Sequence, residues 1–107
     1  MSIPDRRTQL FRIEEARRQT QRQLDMIDRL IMKRMTAIIP RLKLQRIGHR
    51  RRNPADARAF LERYRSNLAA ITLERQHEIG ALSRKLARQD AAIKALRARL
   101  PPDLIRA

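Results

Sequence analysis

The stretch "LFRIEEARRQTQRQLDMIDRLIMKRMTAIIP", residues 10–40, decides the fold class. Positions 10, 13, 17, 20, 24, 27, 31, 34 and 38 are Leu, Ile, Arg, Thr, Leu, Ile, Ile, Arg and Ile, in steps that alternate three and four. This is a heptad seam, the spacing that keeps one narrow stripe of a helix turned toward a partner helix. Leu30, Met35 and Ala37 are expected to widen the stripe near its C-terminal end. One long helix is therefore predicted over about 5–39, opened by Asp5 or Ser2 with Pro4 close by. Pro40 either ends this helix or kinks it, because proline has no amide donor and clashes with the preceding turn.

A second helix is predicted over about 54–100. Asn53 is a favoured N-cap, Pro54 suits the first helical position, and Asp56 faces the positive end of the helix dipole. Its seam runs through Leu61, Tyr64, Leu68, Ile71, Arg75, Ile79, Leu82, Leu86, Gln89, Ile93, Leu96 and Leu100. The steps 71–75–79 are two consecutive fours, a stutter that locally unwinds a left-handed supercoil. Gly80 lies beside it and costs roughly 1 kcal/mol of helix propensity relative to Ala. Pro101 and Pro102 stop the helix, leaving a short tail over 101–107.

Composition agrees with this reading. The 107 residues include two glycines, five prolines and three aromatic side chains, Phe11, Phe60 and Tyr64. The remainder is rich in good helix formers. The fold class expected is all-α: a single domain built as a long antiparallel helical hairpin, a coiled coil with a basic connecting segment. At 1.5 Å per residue the helices would be about 50 and 65 Å long, and a single apolar stripe stabilises neither of them alone. Two registers follow. If helix one stops at Pro40, Ile38 faces Leu61 and the end of helix two overhangs. If it kinks and continues through Leu42, Leu44 and Ile47, the helices match in length and Arg17 falls near Gln89; this second register is preferred. The candidate seam comprises Leu10, Ile13, Leu24, Ile27, Ile31, Ile38, Leu61, Leu68, Ile71, Ile79, Leu82, Leu86, Ile93 and Leu96. The thin seam also suggests a partner or self-association.

The net charge of +15 is distributed unevenly. Residues 1–28 carry six basic and five acidic groups, residues 29–55 carry nine basic and none acidic, and residues 56–107 carry eleven and six. The middle segment is the turn of the hairpin, so a basic tip is expected over about 41–53, with Arg41, Lys43, Arg46, Arg50, Arg51 and Arg52 as its candidate contacts. Arginine outnumbers lysine 22 to 4. That preference suits bidentate contact with phosphate or carboxylate, although G+C-rich coding produces it equally well. A polycationic tip can clamp phosphates, or it can stay solvated or face an acidic protein surface. Aromatic side chains interleaved for base stacking, a helix-turn-helix rhythm and a basic-zipper pattern are all missing.

Enzyme chemistry has little to build on. With no cysteine there is no disulfide framework, thiol nucleophile or cysteine-based zinc site. "HEIGA" at 77–81 starts like the HExxH zinc motif, but Ala81 replaces the second ligand. His77 reads as a solvated helix residue and His49 as part of the tip. Neither an enzyme nor a cofactor is expected. No apolar run approaches the roughly 20 residues of a membrane span, and residues 1–10 lack the apolar stretch of a secretory signal, so a cytoplasmic location is expected. Outside the seam, Phe11, Met26, Met32 and Met35 form a candidate docking face, since methionine-rich helical surfaces adapt to partners.

"LFRIEEARRQTQRQLDMIDRL" (10–30) resembles the first helix of the flagellar export stalk proteins and their type III secretion counterparts. "NPADARAFLERYRSNLAAITLERQHEIGAL" (53–82) is similar in style to the start of their second helix. The resemblance implies a small cytoplasmic coiled-coil hairpin that engages a hexameric export ATPase. Residues 5–24 and 82–100 would enter the ATPase ring, and the basic tip would point toward another export component. The expected function is thus a non-enzymatic interaction protein, most concretely such a stalk. The alternatives are a small basic DNA- or RNA-binding protein of phage, plasmid or nucleoid origin, and a phage structural or packaging component. Cysteines placed at positions 13 and 93 should cross-link within one chain on oxidation. Cross-links formed only between chains on a non-reducing gel would replace the hairpin with an extended dimer.

Overall fold

The computed structural model describes residues 2–44 and 54–101. Two helices, α1 (Ile3–Leu44) and α2 (Pro54–Ala98), pack against each other as an all-α helical hairpin. Two compact units make it up: Met1–Asp25 with Glu78–Ala107, and Met26–His77.

Local chemistry sets the ends of the helices. The Ser2 carbonyl accepts from the Arg6 amide at 3.0 Å, and its Oγ accepts from the Asp5 amide at 3.3 Å while donating to Asp5 Oδ2 at 2.5 Å. Ser2 is therefore the N-cap, and the helix begins two residues earlier than 5. Pro4 falls in the first turn, where its missing amide leaves no helix bond unmade. α2 begins at Pro54, and the residue expected to cap it, Asn53, lies outside the described residues. At the other end, Arg99 and Leu100 amides turn back on the carbonyls of Leu96 and Arg97, at 3.1 and 3.2 Å. The Arg6 guanidinium donates to the Arg99 carbonyl at 3.4 Å, so the start of α1 caps the end of α2.

In the first unit the core is Leu10 with Ile93, Leu96 and Leu100, and Ile13 packs against it. Thr20, at a seam position, is 1% exposed, and its hydroxyl donates to the Ala16 carbonyl at 3.1 Å. Arg17 pairs with Asp90, next to Gln89, and Arg97 pairs with Glu14. The partners of 6, 14 and 17 are 99, 97 and 90, so the chains run antiparallel here. Gly80 is not required by packing: an added Cβ would meet the terminal guanidinium of Arg84 at 3.2 Å and otherwise open space.

In the second unit α1 buries Ile27, Ile31, Met35 and Leu42, and α2 buries Ile71. Three points of the sequence reading are decided here. First, α1 runs through Pro40 to Leu44, as in the preferred register, and does not end at 39. Pro40 and Thr36 are both exposed, so the carbonyl that proline leaves without a donor faces solvent. The roughly 3 kcal/mol cost of an interior proline is opposed by burying Leu42, worth about 1.5–3 kcal/mol, together with the half-buried Ile38 and Ile39. Second, Met35 is 1% exposed: it widens the buried stripe as expected and therefore does not belong to a docking face, whereas Leu30 and Ala37 are exposed and do not widen the seam. The buried row takes two consecutive fours, 27–31–35, at the level where α2 has its own stutter, and Arg34–Glu74 joins the two stretches. A strict three–four alternation drifts about 20° per heptad relative to a straight helix, and a pair of fours takes that drift back.

Third, Leu61 is 45% exposed and is not a seam residue. Phe60, one turn before Tyr64, is half-buried in its place, and the two rings lie 6.4 Å apart. Of the other seam candidates, Leu10, Ile27, Ile31, Ile71, Ile93 and Leu96 are buried. Ile13, Leu24, Ile38, Leu68, Ile79, Leu82 and Leu86 are half-buried. Met35→Ala should cost about 2–5 kcal/mol by urea unfolding, as for a buried methionine, while Met32→Ala stays within about 0.5 kcal/mol. Equal effects of the two would return Met35 to the surface.

Candidate protein-interaction surface

The ion pairs show which charges the hairpin uses for itself. Arg17 and Arg34 occupy two of the nine seam positions read from α1, and each reaches across to a carboxylate of α2, Asp90 and Glu74. An arginine suits such a place because its stem can lie along apolar surface while the guanidinium emerges at the edge. Arg97 reaches Glu14 at 3.3 Å, and Arg18 pairs with Glu15 on the same helix. The open cleft lined by Glu14, Arg17, Arg18, Asp90, Ile93 and Arg97 is therefore not a cationic pocket, since each of its arginines already holds a carboxylate.

The Arg34–Glu74 contact is the 2.6 Å one between Nη1 and Oε2. The hydrogen bond from Arg34, and then its charge, hold the Glu74 carboxyl below the usual carboxylate range. The same bond and charge raise Arg34. Both side chains are solvent-exposed, so the pair specifies register more than it adds stability.

The candidate tip residues divide. Arg41 and Lys43 are exposed and stand on the last turns of α1, not in a connecting segment. Arg46, Arg50, Arg51 and Arg52 lie outside the described residues. Residues 29–44 hold Arg29, Lys33, Arg34, Arg41 and Lys43 with no acidic residue.

The candidate docking face also divides. Phe11 is 63% exposed in the first unit, and Met26, at 57%, is exposed in the second. Met32 is exposed too, but lies two residues from Leu30 and so on nearly the opposite side of α1. Leu30 is the apolar surface residue that heptad reading assigned to the core. Its place immediately before Ile31, about 100° around the helix, matches in angle that of the buried Met35 after Arg34, so spacing alone does not separate the two. On α2, Leu73 is 73% exposed.

Among the described residues, no group of three or more His, Cys, Asp and Glu is placed to hold a metal ion. Nor is any described helix long and apolar enough to cross a membrane. Compared with known proteins, the chain matches no family model, no curated sequence and no solved structure.

Glu74 supplies a pH test. Its pKa is lower in the folded state than the unfolded value of about 4.3, so its contribution is complete above that value and is lost as pH falls through the folded pKa. Glu74→Gln should lower the melting temperature at neutral pH, and the difference from the parent should close in acid. A difference that persists unchanged in acid would mean that the carboxylate charge is not what matters.

Proposed function

We propose that the chain is a non-enzymatic coiled-coil interaction protein that works by presenting the outer faces of a stiff helix pair to other proteins. The observation that carries this reading is the exposure of large apolar side chains, among them Phe11, Met26, Leu30 and Leu73, on helices whose own seam is narrow. A surface of this kind lowers its free energy by docking. The most specific form of the proposal is a cytoplasmic stalk of a flagellar or type III secretion system that binds the hexameric export ATPase. It is supported by the helical-hairpin architecture together with the charge and leucine pattern of 10–30 and 53–82.

The acid-free run over 29–44, continued by the arginines at 46 and 50–52, favours a second reading, a small basic protein that binds DNA or RNA. The two readings differ in what salt and nuclease do. A stalk should co-purify with a hexameric ATPase from nuclease-treated cells. Duplex DNA should bind it only weakly at physiological salt. Tight duplex binding, weakened uniformly by Arg50/Arg51/Arg52→Ala and accompanied by no ATPase, would overturn the stalk and establish the second reading.

A further inference from the structure

Along α1, Met26, Leu30, Ala37 and Arg41 each stand one residue before a seam-side residue: Ile27, Ile31, Ile38 and Leu42. One residue is about 100° around a helix, so these four form a second stripe on one flank of the seam. Lys33 falls in the same stripe, three residues after Leu30 and four before Ala37. Steps of four, three, four and four are those of a helix-packing row. All five side chains are nevertheless exposed, Met26 at 57% and Leu30 at 40%. Of the five cations between 29 and 44, Arg34 alone is ion-paired among the described residues.

We propose that this stripe is the docking site of an acidic amphipathic helix from a partner protein, which lies against α1 as a third helix. The apolar row of that helix covers Met26, Leu30 and Ala37, and carboxylates on its flanks pair with Arg29, Lys33 and Arg41. The mixture of apolar and cationic groups selects this occupant. A second copy of the chain would bring another +15 of like charge to a row that itself holds no carboxylate, the bordering Glu74 being already paired with Arg34. A phosphodiester backbone would answer the cations and leave Met26, Leu30 and Ala37 without apolar partners. An anionic membrane calls for a broader apolar face with bulky anchors than two large side chains provide. An acidic helix satisfies both parts at once, in the groove-docking mode that amphipathic helices use.

The inference rests on the reading of the chain as a protein-interaction element, but not on the identity of the ATPase. The test is a titration of the full chain with a labelled synthetic peptide of three heptads, Leu at a and d and Glu at e and g. The same peptide with Lys in place of Glu is the control. The Glu peptide should bind and the Lys peptide should not. Leu30→Asp, and separately Lys33→Glu with Arg41→Glu, should weaken binding by about tenfold or more. Ala87→Asp, on an exposed residue of α2 outside the apolar surface described above, should leave it unchanged, with helicity by circular dichroism equal in all variants. Equal binding of both peptides, no binding, or indifference to Leu30→Asp would overturn the proposal. So would a Leu30→Asp-sensitive homodimer in sedimentation, or Leu30→Asp-sensitive binding to duplex DNA or phosphatidylglycerol vesicles in place of the peptide. ATPase co-purification without peptide binding would overturn the stripe alone, and peptide binding without the ATPase would overturn the stalk alone.

Discussion

Each helix of this protein can bury only one narrow stripe, and the contact between those two stripes is the interaction on which the rest depends. Isolated helices with such a stripe are marginal in water whatever their propensity. Burying Leu10, Ile27, Ile31, Met35 and Leu42 of α1, and Ile71, Ile93, Leu96 and Leu100 of α2 and its end, is what holds the chain helical over both spans. Even an interior proline yields to it. Pro40 costs α1 a backbone bond on its wet side, while the turn beyond it brings Leu42 into the core.

A seam this thin leaves the remaining surface of both helices to charge, and the charges are spent unequally. In the first unit Glu14, Glu15 and Asp90 each hold an arginine. Along α1 after Asp28 there is no acidic residue, and among the described residues the single carboxylate that answers an arginine of that stretch, Glu74, comes from α2. The excess positive charge of α1 therefore runs on from the exposed Met26 and Leu30 along a helix whose other face is buried. Both the protein-interaction and the nucleic-acid readings draw on this stretch, but only an occupant with an apolar row of its own covers all of it.

The hairpin and most of its seam were legible in the residues because heptad spacing reports directly which side of a helix avoids water. Six of the fourteen seam candidates are buried and seven are half-buried, which follows from simple three–four stepping. The exceptions share one cause. Met35 against Arg34, Phe60 against Leu61 and Leu30 against Ile31 are choices between chain neighbours about 100° apart. The difference between 3.5 and 3.6 residues per turn drifts the seam by about 20° per heptad, which reaches a comparable angle only over a helix as long as α1, and a local pair of fours then hands the seam to the adjacent residue. Leu30 was the costly case, since an apolar residue close to a seam reads as core until the partner helix is in place.

The residues alone determined that the chain is helical, narrowed the first cap to Ser2 or Asp5, and placed the start and the stop of the second helix to within a few residues. Ser2, Pro54 and Pro101 act through their own backbone and immediate neighbours, so no distant contact is needed to read them. Tertiary structure alone decided that Leu30 and Leu61 stay out and that Arg34 meets Glu74, and it chose between the alternatives the residues left open by taking α1 through Pro40 and Met35 inside. Those outcomes compare a local cost of a few kcal/mol with burial against a second helix. The comparison has no answer until the register between the helices is set.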